Sequence, residues 1–180
     1  MRRLLCLAMP LLISFSCIAQ ADLRLPDSMV TQAGKPFREA DTKGSPVALF
    51  FGFTNCPDVC PTTLLDMSSD LAALAEKADA IKIIFVTVDP ERDTPDVMRD
   101  YVTAFSDRIV GISGPPDAVH AMVKDYKIYS RKVPVEGGDY SMDHTGSMIL
   151  QDASGNFVGT IDSAESRDVG LAKLKRLVAG

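Results

Sequence analysis

Positive charge is scarce in this chain. Its 180 residues include 19 lysines and arginines against 24 aspartates and glutamates, a net charge of −5, and the basic residues are scattered. Proteins that bind nucleic acid rely on clustered basic side chains to contact the phosphates. The composition therefore predicts that nucleic acid is not a partner. The sequence also lacks internal repeats, low-complexity tracts and interdomain linkers, which indicates one domain.

The N-terminus lacks an apolar run of the length that an ordinary membrane span needs, which is about 20 residues. The run over residues 4–18 is shorter and contains Pro10. A basic pair at residues 2–3 precedes it, and a small-x-small pattern at residues 19–21 follows it, as is typical of a cleaved export signal. We therefore expect an exported, periplasmic protein. The alternatives are an uncleaved anchor in the inner membrane that faces the periplasm, or a lipid attached at Cys17.

Cysteine is also rare once the leader is set aside. With residues 1–21 as signal peptide, the domain spans residues 22–180 and keeps two of the four cysteines, Cys56 and Cys60. Structural disulfides are common in oxidising compartments. A disulfide that closes so short a loop nevertheless removes little entropy from the unfolded chain. We therefore favour a chemical role for the pair over an inert disulfide.

The two cysteines lie between a predicted buried strand and a predicted helix. Residues 47–53 are apolar throughout, as is typical of a strand buried on both faces of a central sheet. Pro61 suits the first position of a helix, and apolar residues then recur at helical spacing up to residue 78. A helix N-terminus stabilises negative charge, which favours thiolate over thiol at Cys56 and Cys60.

Strand and helix patterns alternate along the rest of the chain. We predict strands over 81–88, 109–112, 127–133, 147–151 and 157–161, helices over 95–105, 115–126 and 167–178, and one or two edge strands before residue 44. This order, with a cysteine pair at the first core strand-to-helix turn, predicts a thioredoxin-like α/β sandwich, a central mixed β-sheet flanked by helices. The usual redox motif has two residues between its cysteines, whereas three stand here. The wider loop lets both sulfurs face the same bound species.

A metal ion is the candidate for the species that both sulfurs face, with His144 as the third ligand. By analogy with the fold, the strand that begins near residue 147 runs antiparallel to the first core strand, which brings the polar, mobile loop over residues 137–145 to the cysteines. Two thiolates and one imidazole suit Cu(I), and with a further donor the same atoms hold Cu(II). Zinc stays open on ligand type, although structural zinc sites usually have four ligands.

Other polar residues near these motifs have plainer interpretations. Considered alone, His144 is more typical of an ordinary surface histidine than of a ligand. The charged stretch over residues 89–93 is expected to be a solvated loop, with a salt-bridged docking surface as the alternative. Asp143 either orients an imidazole or caps a turn. We expect His120 to face solvent on its helix and Met142 to fill core.

Three segments together resemble the Sco/SenC family. These are GFTNCPDVCP at residues 52–61, FVTVDPERDTP at residues 85–95 and DYSMDHT at residues 139–145. The resemblance implies a copper-binding, thioredoxin-like protein that helps assemble the dinuclear copper site of cytochrome c oxidase. It implies copper ligation by Cys56, Cys60 and His144. The family usually keeps acids at three further positions, here Asp58, Asp89 and Asp143.

Three functions fit these residues. The favoured one is a copper metallochaperone, a monomer near the membrane, whose partners are the copper-site subunit of cytochrome c oxidase and a periplasmic copper carrier or thiol reductant. The second is a thiol-disulfide reductase, in which Cys56 and Cys60 are a redox pair that forms a disulfide when oxidised. The third is a thiol peroxidase, for which Thr54 supplies a hydroxyl but the sequence assigns no activating cation. A reductase does not need His144, which separates the first two.

Overall fold

The computed structural model describes residues 26–180. The predicted signal peptide and its cleavage site lie outside this range. Eight strands and four helices are present in it. The strands are β1 (Val30–Thr31), β2 (Val47–Gly52), β3 (Lys82–Thr87), β4 (Ile109–Ser113), β5 (Ser130–Pro134), β6 (Tyr140–His144), β7 (Met148–Gln151) and β8 (Phe157–Ile161). The helices are α1 (Val59–Leu74), α2 (Pro95–Thr103), α3 (Pro116–Asp125) and α4 (Arg167–Leu177).

Six of the strands form one mixed sheet in the order β1-β4-β3-β2-β7-β8. Strands β2, β3 and β4 are parallel, while β1, β7 and β8 each pair antiparallel with a neighbour. All six residues of β2 are buried, because the strand lies at the centre of the sheet with helices packed on the core. The predicted central mixed sheet flanked by helices is confirmed. None of the helices within residues 26–180 has the length and apolarity needed to cross a bilayer.

Helix α1 begins two residues earlier than the sequence predicts, at Val59 rather than Pro61. The first turn of a helix has no intrahelical partners for its N–H groups, so Pro61 is tolerated there without losing a hydrogen bond. Cys60 consequently lies in the first turn of the helix, and its side chain is fully buried. The α-helical part ends at Leu74, and a 3-10 turn over Ala75–Ala80 completes the predicted segment.

Strands β5 and β6 form a separate antiparallel hairpin, which contradicts the prediction of a mobile loop over residues 137–145. Gly137 and Gly138 have φ angles of 90° and 85°, the left-handed conformation that glycine adopts without strain. Strand β6 ends at His144, which pairs with Ser130 at the start of β5. The hairpin thus brings a histidine to one end of a small sheet that has no ladder to the main one.

Candidate metal centre

The side chains of Cys56, Cys60 and His144 lie together in the fold. One potential ligand atom from each residue lies within 4.8 Å of the other two, and residues 26–180 contain no second such group of histidine, cysteine or acidic side chains. Cys56 follows β2, Cys60 lies in the first turn of α1, and His144 ends β6. Neither cysteine forms a disulfide. The three side chains therefore lie as close together as we predicted from the sequence.

The imidazole of His144 has a defined orientation. Its Nδ1 lies 2.9 Å from the carbonyl oxygen of Thr145. A carbonyl can only accept, so Nδ1 donates the proton and the neutral ring keeps its lone pair on Nε2. That nitrogen lies 3.4 Å from Sγ of Cys60. The rings of Phe53 and Phe50 pack edge-on against the imidazole, with centroids 5.7 and 6.2 Å away. The lone pair of Nε2 is therefore directed toward the sulfurs and is available to bind a metal.

A glycine provides the space that the Cys60 sulfur occupies. A Cβ atom on Gly52 would lie 2.7 Å from Sγ of Cys60 and 2.7 Å from Cε2 of Phe85, closer than real Cβ contacts allow. Any side chain at this position would therefore displace the thiol or the phenyl ring. Sequence reasoning missed this role, since a glycine in an apolar run carries no signal without the fold.

The two thiols have very different acidities. The pKa of Cys56 is lowered to about 4, chiefly by a hydrogen bond from the Cys60 side chain and further by the backbone N–H of Cys60, while burial opposes the change. This N–H donates to Sγ of Cys56 over 3.3 Å. The pKa of Cys60 is raised, because its proton is held by the hydrogen bond to Cys56 and because the thiol is buried. The pair therefore contains one thiolate, on Cys56, and one proton, on Cys60.

We expect iodoacetamide to alkylate Cys56 at a rate that changes little between about pH 6 and pH 8. A thiol of pKa about 4 is already thiolate throughout this range, whereas an ordinary cysteine gains about tenfold per pH unit below its pKa of about 8.5. Mass spectrometry of the reduced protein, resolved by residue, measures the rate, and glutathione in the same tube is the control. A Cys56 rate that rises in parallel with that of glutathione contradicts the assignment of the thiolate.

The charged stretch over residues 89–93 is not the solvated loop that the sequence predicted. Asp89 and Asp93 are each only 1% exposed. Asp93 accepts hydrogen bonds from the N–H of Thr54 at 3.1 Å, from the Thr54 hydroxyl at 2.6 Å and from the Thr87 hydroxyl at 2.6 Å. Burial raises the pKa of this carboxyl. These bonds fix the segment that leads from β2 into Cys56.

The remaining candidates lie outside the ligand group. Asp58 is exposed just before α1. Asp143 pairs with Arg131 across the hairpin over 3.0 Å, so the carbonyl of Thr145 orients the imidazole and Asp143 does not. His120 is exposed, as predicted, and Met142 is buried.

Comparisons with known proteins agree with the sequence resemblance. The model of the SCO1/SenC family matches residues 18–179. The chain is 35% identical over 157 residues to Protein SCO2, mitochondrial, of Saccharomyces cerevisiae, which covers 85% of this chain and 52% of the yeast protein. It is 36% identical over 136 residues to the mouse mitochondrial SCO1 homologue, covering 74% of this chain and 48% of that protein. The chain thus spans about half the length of these two relatives.

A solved structure agrees in fold as well as in sequence. The copper-bound structure of ScoI from Bradyrhizobium japonicum superposes with a TM-score of 0.78 at 41% identity, over 84% of this chain and 97% of that one. The predicted thioredoxin-like fold is therefore confirmed.

Proposed function

This chain belongs to the SCO1/SenC family, and we propose that it is a copper metallochaperone that helps assemble the copper site of cytochrome c oxidase. In this proposal Cys56, Cys60 and His144 bind the copper. The observation that carries it is the convergence of two sulfurs and an imidazole nitrogen within 4.8 Å of one another. Soft thiolate donors with one imidazole suit Cu(I). The copper present in ScoI of Bradyrhizobium japonicum supports the same assignment.

Copper is the cargo in this mechanism, and the three side chains have different tasks. Cys56 is already a thiolate and offers the first sulfur. Cys60 must release its proton when it binds the ion, so loading lowers the pH of an unbuffered solution and weakens in acid. His144 completes the set through Nε2. Because His144 lies on a hairpin outside the main sheet, it is the ligand that leaves first when a recipient offers its own donors.

The proposal extends to location and partners. The domain over residues 22–180 acts in the periplasm, either released by cleavage of the leader or held at the inner membrane. It works as a monomer, receives copper from a periplasmic carrier, and delivers Cu(I) or Cu(II) to the copper-site subunit of the oxidase. A periplasmic thiol reductant keeps Cys56 and Cys60 reduced between cycles.

Replacing the histidine tests this function. We expect the reduced protein to bind one Cu(I) per chain in an anaerobic titration against a competing chelator, and His144→Ala to weaken that binding at least about tenfold. Loss of an outer-shell partner alone costs a metal site about 10- to 100-fold, and a ligand contributes at least as much. His120→Ala is the matched control, because His120 is exposed and outside the group. Equal affinities for the wild type and His144→Ala contradict the three-ligand site.

A thiol-disulfide reductase is the second candidate, supported by the lowered pKa of Cys56 and by the nearby Cys60 thiol. Here the Cys56 thiolate attacks a disulfide of the oxidase subunit, one subunit sulfur leaves as a thiolate, and Cys60 then displaces the other as the Cys56–Cys60 disulfide forms. The same His144→Ala variant separates the candidates, because reduction of an oxidised subunit peptide does not need the imidazole. A peroxidase is less well supported, since the Thr54 hydroxyl already donates to Asp93.

A further inference from the structure

One loop contacts both the segment that carries Cys56 and the hairpin that carries His144. The 89–93 loop connects β3 to α2, and its last residue, Asp93, holds Thr54 two residues before Cys56. Its first residue, Asp89, accepts a hydrogen bond from the hydroxyl of Tyr140 over 2.8 Å. Tyr140 begins the strand that ends at His144. The cysteine segment and the histidine hairpin are therefore attached to the same short loop.

Arg92 makes the largest share of the contacts between this loop and the hairpin. Its Nη1 donates to the backbone carbonyl of Tyr140 over 2.9 Å and to the carboxylate of Asp139 over 3.1 Å, and its Nε donates to the buried Asp89. The guanidinium carbon lies 3.8 Å from the centroid of the Tyr140 ring. Lys132, which pairs with Glu91, lies 4.6 Å from the same centroid. The tyrosine ring is thus held by two cations.

Apart from these contacts, the hairpin is attached to the core through the buried side chain of Met142 and through the ring of His144. Strands β5 and β6 pair only with each other in the described chain. The hydrogen bonds between Tyr129 and Thr145 only continue the pairing of the two strands at the base of the hairpin. A small sheet without a ladder to the core depends on side-chain contacts for its orientation. The position of His144 relative to the sulfurs therefore depends on this packing together with the polar contacts that hold Tyr140.

We infer that Arg92 and Tyr140 are positioning residues, which hold the β5–β6 hairpin so that Nε2 of His144 stays beside the two sulfurs. The inference rests on the proposed function for its copper-binding consequence. Its structural part, that the hairpin loosens when this contact is removed, is independent of any metal. Neither residue belongs to the ligand group, so the inferred effect on copper passes through the position of the hairpin.

Two variants and a matched control test the inference. Arg92→Leu removes the cation and its hydrogen bonds, while Tyr140→Phe keeps the ring and removes only the bond to Asp89. Arg131→Leu is the control, because Arg131 lies on the same hairpin and makes an exposed pair with Asp143. Arg92→Leu leaves the buried Asp89 without its cationic partner, which is costly to the fold. If this variant does not fold, Tyr140→Phe decides the question alone.

The first measurement is hydrogen exchange of the β5–β6 amides in the reduced, metal-free protein. We expect at least about tenfold faster exchange in Arg92→Leu and about threefold in Tyr140→Phe, with β2 and β3 unchanged, because local opening follows the loss of local contacts. Arg131→Leu should exchange like the wild type. Unchanged hairpin exchange in both test variants overturns the inference, whether or not the protein binds copper.

The second measurement is Cu(I) affinity with and without the histidine. We expect Arg92→Leu to weaken binding about tenfold, the range for an outer-shell partner, and to have no further effect in the His144→Ala background. A loss that persists without His144 overturns the positioning role, since the effect then does not pass through the imidazole. A wild type that binds no copper refutes the proposed function instead, and hydrogen exchange alone then decides whether Arg92 and Tyr140 hold the hairpin.

Discussion

Oxidation of Cys56 and Cys60 to a disulfide is expected to abolish tight Cu(I) binding by this chain. The Cys56 thiolate and the Cys60 thiol together lose two electrons and one proton as the S–S bond forms, so two of the three donors disappear and His144 alone remains. Binding should weaken by at least about a thousandfold, since every 1.4 kcal/mol of lost ligand interaction is tenfold. Both sulfurs and one ring nitrogen of His144 lie within 4.8 Å of one another, so the same sulfurs serve either the metal or the disulfide.

The experiment compares reduced protein with protein oxidised by diamide, each freed of reagent and titrated anaerobically with Cu(I) against a competing chelator. The double variant Cys56→Ser/Cys60→Ser is the control, and its weak binding should not depend on the treatment. Protein loaded with copper beforehand should resist oxidation, because the metal occupies both sulfurs. Equal Cu(I) affinity in the reduced and the oxidised wild type would falsify the assignment of the cysteines as donors.

Asp93→Ala should destabilise the fold by about 3 kcal/mol or more. The substitution removes the acceptor of three hydrogen bonds, two from Thr54 and one from Thr87. Each buried donor left without a partner costs about 1 to 3 kcal/mol.

Guanidinium unfolding of the reduced, metal-free protein measures this loss. Asp96→Ala is the matched control, because Asp96 lies on the neighbouring helix α2 with its side chain 80% exposed, and it should change stability by no more than about 0.5 kcal/mol. Asp93→Asn keeps one acceptor oxygen and should fall between the two. If Asp93→Ala is as stable as Asp96→Ala, the carboxylate does not hold the cysteine segment.

Most of the main sheet and its helices followed from apolar patterns. Strand β2 is buried on both faces, and such burial selects the continuous apolar run that the sequence displays. Strand β6 was missed because only one of its five residues, Met142, is both apolar and buried, so the sequence shows no strand pattern. One residue that holds it, Arg92, stands 48 positions from Tyr140 in the sequence. Contacts over such separations leave no local pattern.

The ligand group was predicted in a similarly uneven way. Cys56 and Cys60 stood out because cysteine is rare in the chain, and His144 followed from the fold analogy and the family resemblance. Thr145 could not be found, since it orients the imidazole through a backbone carbonyl that every residue has. Asp93 was misread for a different reason. An acid in a charged loop is usually solvated, and its burial depends on two threonines from other parts of the chain.

The position of Gly52 against the Cys60 sulfur limits the direction from which another protein can reach the site. Gly52 and Phe85 close the inner side of the Cys60 sulfur, and Phe50 and Phe53 cover the ring of His144. In the proposed function, a copper donor and a copper recipient must therefore both approach from the outer side, where Cys56 and His144 retain some exposure. Two proteins that need the same opening exclude each other. Delivery is then sequential, and an excess of the donor protein should competitively slow transfer to the recipient.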